Sequence, residues 1–332
     1  MTSIGVERMK AGRNPLFWRL AALFISVVLS TSASLFAKYA LVSFTPFALA
    51  ALRFWIATLV AVPLAALVVP KGLSLRRYVR ALPMSLCYSV NSALFLLGID
   101  HTTAITAQLL YMLVPVLVLL GSRFFFTEKL TPAKLFGTAL GIAGAVVVLI
   151  GSLEGTLGNS LGTPFGNGII LISVVLWSSF TLLARRQSQS QHPIELSCYT
   201  QITASLVTPL FLVPDIALHH PLYGSITWLA IISVLALALL ISVFRDILFQ
   251  WGLQGTSAFT TSVMGFFAPF LTVAYAIPLL GEQLSLNLLI SGALIIVGIF
   301  FAVIIPARQN RAKSPAPEPV LVGVATQEQG KP

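Results

Sequence analysis

Charge is what this sequence has least of. Asp, Glu, Lys and Arg make up 9% of its 332 residues, against about 25% in a soluble domain. With 57% hydrophobic residues and a mean hydropathy of +0.93, the chain cannot cover itself with polar surface. Lipid is therefore its expected solvent. Cysteine is nearly absent: Cys87 and Cys198 each sit in an apolar run, which excludes a disulfide framework and a zinc cluster. His101, His192, His219 and His220 are scattered over short predicted loops, and the His219–His220 pair has no further ligand type nearby. No lysine stands in a phosphate-binding glycine loop, so no ATP drive is encoded. No enzyme constellation is found and no cofactor is expected.

The formal net charge is +10, but its layout argues against nucleic acid as a partner. The basic residues form short clusters between apolar runs, the pattern that orients helices in a membrane. Ten runs approach the roughly 20 residues needed to span: 17–37, 45–69, 81–99, 104–122, 135–152, 166–184, 195–213, 226–252, 258–278 and 286–305. The first follows a basic segment, as a signal peptide would. Its repeat partner later in the chain makes it a span instead.

That repeat is visible by eye. Gly98 to Val147 returns, shifted by 154 positions and without a gap, as Gly252 to Phe301, with about a quarter of positions identical. The matches include Gly98/Gly252, Thr102/Thr256, Pro115/Pro269, Glu128/Glu282 and Gly144/Gly298. Chance likeness of apolar runs would not align Pro and Glu, so this reads as an internal duplication. With a shift of 147, Lys38 meets Arg185 and Pro46 meets Pro193. Each repeat then holds five helices. Five is odd, so the second copy enters the membrane inverted, the arrangement of an alternating-access scaffold. The expected fold is an all-α integral membrane protein of ten transmembrane helices in two inverted five-helix repeats. Residues 1–16 form a basic cytoplasmic N-terminus, 17–152 the first repeat, 166–305 the second, and 306–332 a disordered cytoplasmic tail.

Charges within spans are costly and point to function. Three qualify: Arg53, Arg245 and Asp246. Adjacent helical residues point about 100° apart, so Arg245 and Asp246 each need a partner elsewhere. Polar faces recur in both halves: Ser26, Ser30 and Ser34 correspond to Ser173, Trp177 and Thr181, and Tyr88, Asn91 and Ser92 to Ser242, Arg245 and Asp246. Gln108, Tyr111, Thr261, Gly265 and Thr272 extend the set. Any one hydroxyl is explained by an interhelical hydrogen bond worth ~0.6 kcal/mol; the recurrence favours a cavity. The expected substrate-binding residues are Trp177, Tyr88, Asn91, Tyr111, Arg245, Ser30 and Thr261. Asp246, with Arg53, is the candidate for proton coupling; the competing reading is a fixed ion pair. Gly137, Gly141, Gly144, Gly292 and Gly298 mark two packing helices that do not line the pathway.

The chain resembles the drug/metabolite transporter superfamily in its ten-helix EamA-type branch, over about 17–305. The resemblance rests on ALRFWIATLVAVPL from Ala51, TEKLTPAKLFGTALGIAGAVVVLIG from Thr127 and APFLTVAYAIPLLGEQLSLNLLISGALIIVGI from Ala268. Thr127 stands where that family usually has Gly and Gln283 where it usually has Arg. Gly98-Ile99 and Gly252-Leu253 replace its Ala-Leu. The resemblance implies export or exchange of small metabolites, often amino acids, by alternating access. The expected function is a secondary transporter of a small polar or amphipathic solute; the alternative is a passive channel. The expected partners are that solute, a proton at Asp246 and the bilayer of a cell membrane, with a homodimer left open.

Seventeen of the twenty Lys and Arg residues fall on one side if both termini are cytoplasmic. With Cys87 and Cys198 removed, a cysteine at Thr156 should react with an impermeant thiol reagent in intact cells, and one at Ser188 should not. The opposite pattern reverses the orientation.

Overall fold

Proline and hydroxyl residues set where the helices begin. The computed structural model describes residues 15–70, 72–126, 132–154, 161–219, 221–256, 261 and 264–301. Glu128, His220, Thr156 and the tail lie outside them. Helices α1 (Pro15–Leu41), α2 (Pro46–Val68), α3 (Leu75–Asp100), α4 (Ala104–Tyr111), α5 (Val114–Phe126) and α6 (Pro132–Glu154) come first. Next are α7 (Pro164–Gln187), α8 (Pro193–Val207) and α9 (Val213–Ala217). The last four are α10 (Trp228–Leu235), α11 (Asp246–Leu253), α12 (Ala268–Leu280) and α13 (Leu286–Ile299). Proline follows the N-cap of α2, α7 and α8, where its missing N–H costs nothing. Thr103, Thr163, Thr227 and Ser285 cap α4, α7, α10 and α13 by accepting from backbone N–H groups two positions inside the helix.

Among the described residues, seven helical stretches are long and apolar enough to cross a membrane: Leu16–Leu41, Pro46–Val68, Leu75–Asp100, Ala104–Ser122, Pro164–Gln187, Pro193–Ala217 and Trp228–Leu253. The other three apolar runs appear as shorter apolar helices, Phe136–Gly151, Ala268–Leu280 and Leu286–Gly298. The first of these lies inside α6, whose full range is longer. Among the described residues there is no strand, only one isolated bridge between Phe44 and Tyr223. Large apolar side chains such as Leu67 (86% exposed), Trp228 (79%) and Leu59 (75%) face outward. A soluble monomer does not expose so much apolar surface.

Three features depart from straight spans. Pro115 lacks the N–H that would bond the Tyr111 carbonyl, and the chain breaks at Met112–Leu113 between α4 and α5. Its repeat counterpart Pro269 stands at the start of α12, after a 3₁₀ turn at Gly265–Phe267. Between α10 and α11 the chain runs as a π-helix over Ala236–Arg245, where Ser242 Oγ reaches back five residues to the Leu237 carbonyl. Such wide turns gather at functional sites.

Helices α6 and α13 meet along their glycines. A Cβ on Gly298 would lie 2.6 Å from the Gly137 carbonyl oxygen and 2.7 Å from the Gly141 nitrogen. One on Gly144 would lie 2.9 Å from the Ser291 carbonyl oxygen. At Gly298 the neighbours are backbone and cannot turn aside; at Gly144 the Ile295 side chain is nearer still, at 2.6 Å. Gly298→Val should lower thermal stability in detergent by about 2 kcal/mol or more. Gly168→Ala, at a helical glycine with nothing within 4 Å, should be neutral or stabilising by up to about 1 kcal/mol. Equal effects of the two would show that the seam is not close-packed.

Candidate functional site

The polar faces of the long helices converge on a cavity of about 160 Å³ in the middle of the bundle. From α1 it is lined by Ser26, Ser30 and Ser34; from α2 by Arg53; from α3 by Tyr88, Asn91, Ser92 and Phe95. The broken α4–α5 run adds Gln108, Tyr111 and Pro115. The later part of the chain adds Trp177, Thr181, Arg245, Phe249, Thr261 and Gly265. No described residue of α6 or α13 lines it. Of the nine residues singled out from sequence, Trp177, Tyr88, Asn91, Tyr111, Arg245, Ser30, Thr261 and Arg53 lie in this wall. Asp246 does not.

The two guanidinium groups are held differently. Arg53 Nε donates to Ser242 Oγ at 2.6 Å, and its guanidinium lies 5.0 Å from the centre of the Phe54 ring. Arg245 lies 4.7 Å from the Trp177 ring centre and 5.0 Å from that of Phe249. Arg245 is buried, and its Nε has no hydrogen-bond partner. Ring faces attract the cation but do not accept its in-plane N–H groups. Asp246, one residue on, is turned toward α8. It accepts from Thr200 Oγ1 at 3.0 Å, and its Oδ1 has no partner. The 100° between neighbours on a helix separates the pair, so Arg245 faces the cavity and Asp246 does not.

Around these charges the wall is aromatic. Tyr88, Trp177, Phe180 and Phe249 form one cluster, with ring centres 4.9 to 6.4 Å apart for the pairs in contact. Asn91 Nδ2 donates to Tyr111 Oη at 3.0 Å and to the Ser173 carbonyl at 2.7 Å. Ser26, Ser30 and Ser34 donate to carbonyls three residues back on α1. The hydrogens of Ser26 and Ser30 are therefore spent and their lone pairs remain, whereas Ser34 Oγ also pairs with Tyr275 Oη at 2.5 Å. Sequence reading passed over Phe249 and Phe95, because an aromatic in an apolar run looks lipid-facing. The available signal for Phe249 was its position four residues after Arg245.

One end of the bundle is tied across the cavity's helices. Glu282 accepts from the N–H groups of Ala104 at 2.6 Å and Ile105 at 2.9 Å. A carboxylate there answers the unpaired N–H groups at the start of α4. Lys38 Nζ donates to the Thr102 carbonyl at 2.6 Å. At the opposite end Arg185, the repeat counterpart of Lys38, donates to the Leu253 carbonyl at 2.5 Å. Arg77 pairs with Glu195. Among the described residues no group of three or more His, Cys, Asp and Glu is placed to hold a metal ion.

A helical bundle with lipid-type surfaces and a charged, aromatic central cavity belongs to the solute-carrying class of membrane protein. The EamA-like transporter family model matches residues 17–150 and again 164–304, and the chain belongs to that family. Among curated proteins it is 24% identical to an uncharacterised transporter of Clostridium kluyveri over 64% of this chain and 68% of that one. It is also 27% identical to a probable terminal-alkyne amino-acid exporter of Streptantibioticus cattleyicolor, over 73% of this chain and 80% of the relative. Over a shorter stretch, 34% of this chain and 36% of the relative, it is 25% identical to a riboflavin transporter of Brucella anthropi. A crystal structure with 22% sequence identity shares the fold at a TM-score of 0.61, over 88% of this chain and 98% of that one. The protein is thus an integral membrane transporter of the drug/metabolite type.

Burial holds the Glu282 carboxyl above its ordinary value, against the opposing pull of the Ala104 and Ile105 N–H groups and of Lys38. A carboxyl raised on folding gives stability below its unfolded value of about 4.5 and loses it as pH climbs through the folded value. Glu282→Gln should flatten the fall of the thermal midpoint between pH 4.5 and neutrality. An unchanged slope would place the titrating group elsewhere.

Proposed function

We propose that this protein is a secondary transporter that exports or exchanges a small polar or amphipathic metabolite, amino-acid-like in size, by alternating access. In this reading ten helices form two inverted five-helix repeats, with both termini in the cytoplasm. The observation that carries it is the cavity itself, walled by both halves of the chain with repeat-equivalent residues facing it in pairs. Ser30 and Trp177, Ser34 and Thr181, Asn91 and Arg245, and Tyr111 and Gly265 all line it. The separate family match to each half supports the same duplication. The three shorter apolar helices occupy the fifth, ninth and tenth runs, which supports the count of ten.

Charge distribution supports the orientation. The end bearing residues 72–74 and 188–192 is flanked by Arg76, Arg77, Arg80, Arg185 and Arg186, whereas the other carries Lys38, Asp100 and Glu282. Basic residues collect on the cytoplasmic side. The names of two relatives, an amino-acid exporter and a riboflavin transporter, support a small metabolite as cargo. Asp246 is assigned the coupling proton: it is fully buried, and one of its oxygens lacks a partner. Intramembrane carboxylates of this kind serve as proton relays.

Reconstituted vesicles test the reading. Flux of an amino acid or organic acid should be accelerated by the same solute on the far side, which a passive channel would not show. Trp177→Ala should cut that counterflow by about tenfold, the worth of a lost ring contact to Arg245 and substrate, with folded protein retained. Asp246→Asn should abolish drive by a pH gradient and leave exchange. Gradient-driven flux that persists in Asp246→Asn ends the coupling role. Unaltered counterflow in Trp177→Ala removes that ring from the site.

A further inference from the structure

Resting on the transporter reading, we infer that the cavity selects an organic monoanion with an apolar, ring-sized body over the matching amide, cation or zwitterion. Arg53 and Arg245 both face the cavity, and among the described residues no Asp, Glu or His shares its wall. Arg245 is 7% exposed and its Nε has no hydrogen-bond partner. The centres of the Trp177 and Phe249 rings lie 4.7 and 5.0 Å from its guanidinium carbon. That leaves a planar fork of N–H donors whose natural complement is a carboxylate bound through both oxygens.

Charge balance points the same way. Arg77 has its own partner in Glu195. At the centre, Arg53 and Arg245 stand against Asp246 alone. The cluster carries one excess positive charge if Asp246 is ionised and two if it is protonated. An uncompensated charge in a low-dielectric interior is costly. A bound monoanion reduces the excess in either state. A neutral amide leaves it, and a cation adds to it. In an α-amino acid the ammonium sits one carbon from the carboxylate, and so beside the guanidinium that holds it. The body of the ligand meets Tyr88, Phe95, Tyr111, Trp177 and Phe249, a wall suited to a ring or a short branched chain.

Four probes that share a benzyl group test this: phenylacetate, phenylacetamide, phenethylamine and L-phenylalanine. Each is titrated into the purified full-length protein by calorimetry, with thermal shift alongside. Phenylacetate should bind at least about tenfold tighter than the amide and the amino acid, with no binding of the amine. Arg245→Gln should erase the preference for carboxylate over amide. If that variant does not fold, Arg245→Lys keeps the charge without the fork, and should bind phenylacetate about tenfold more weakly while still preferring it to the amide. Failure of phenylacetate to bind, or equal binding of amide or amino acid, overturns the inference. Binding and flux fail separately. L-phenylalanine that binds tightest and shows counterflow sinks the anion preference and leaves the transporter. Phenylacetate that binds without flux leaves the anion site and sinks the transporter.

Discussion

A chain in hydrocarbon has no water to complete its hydrogen bonds, so every buried polar group must find its partner within the bundle. The structure meets that constraint by several means. Serines of α1 turn their hydroxyls onto carbonyls of their own helix. Asn91 bridges to Tyr111 and to the α7 backbone. Arg77 has a carboxylate, and Arg53 a hydroxyl together with a ring face. Arg245 Nε is left without a partner, as are Asp246 Oδ1 and both polar atoms of the Gln250 side chain. Rings compensate the Arg245 charge but leave its donors, and a ligand-sized space adjoins them.

The sequence made the all-helical, membrane-spanning character legible, and seven of its apolar runs are helices long enough to span, because span length depends on little beyond hydrocarbon thickness. The residues of the cavity wall could be read because duplication let each polar face be checked against its copy. One serine proves nothing, whereas Ser30 and Trp177 at equivalent positions do constrain the geometry. What could not be read was whatever depends on contact between distant segments. Glu282 marks only a helix end in sequence; nothing there shows that it answers the start of α4, almost 180 residues earlier.

Two further features escaped for physical reasons. The segment Ala236–Arg245 contains no glycine or proline, and nothing in ALALLISVFR distinguishes a π-helix from an α-helix. Its wide turn arises from packing. That Arg245 and Asp246 point apart was readable from the ~100° between helical neighbours. Which of the two faces the cavity was not, because that is set by how the segment packs against α8, where the carboxylate lies, and against the cavity, where the guanidinium lies.

The glycine seam between α6 and α13 has a mechanical meaning. Side chains between two helices act as soft spacers, because rotamers can change as the helices slide. Here the spacers are missing, and the carbonyl of Gly137 lies against the α-carbon of Gly298. Shear would drive backbone into backbone. The two helices therefore form a stiff strut, no described residue of which lines the cavity; in the alternating-access reading proposed above, that strut is the frame against which the cavity-lining helices would be displaced.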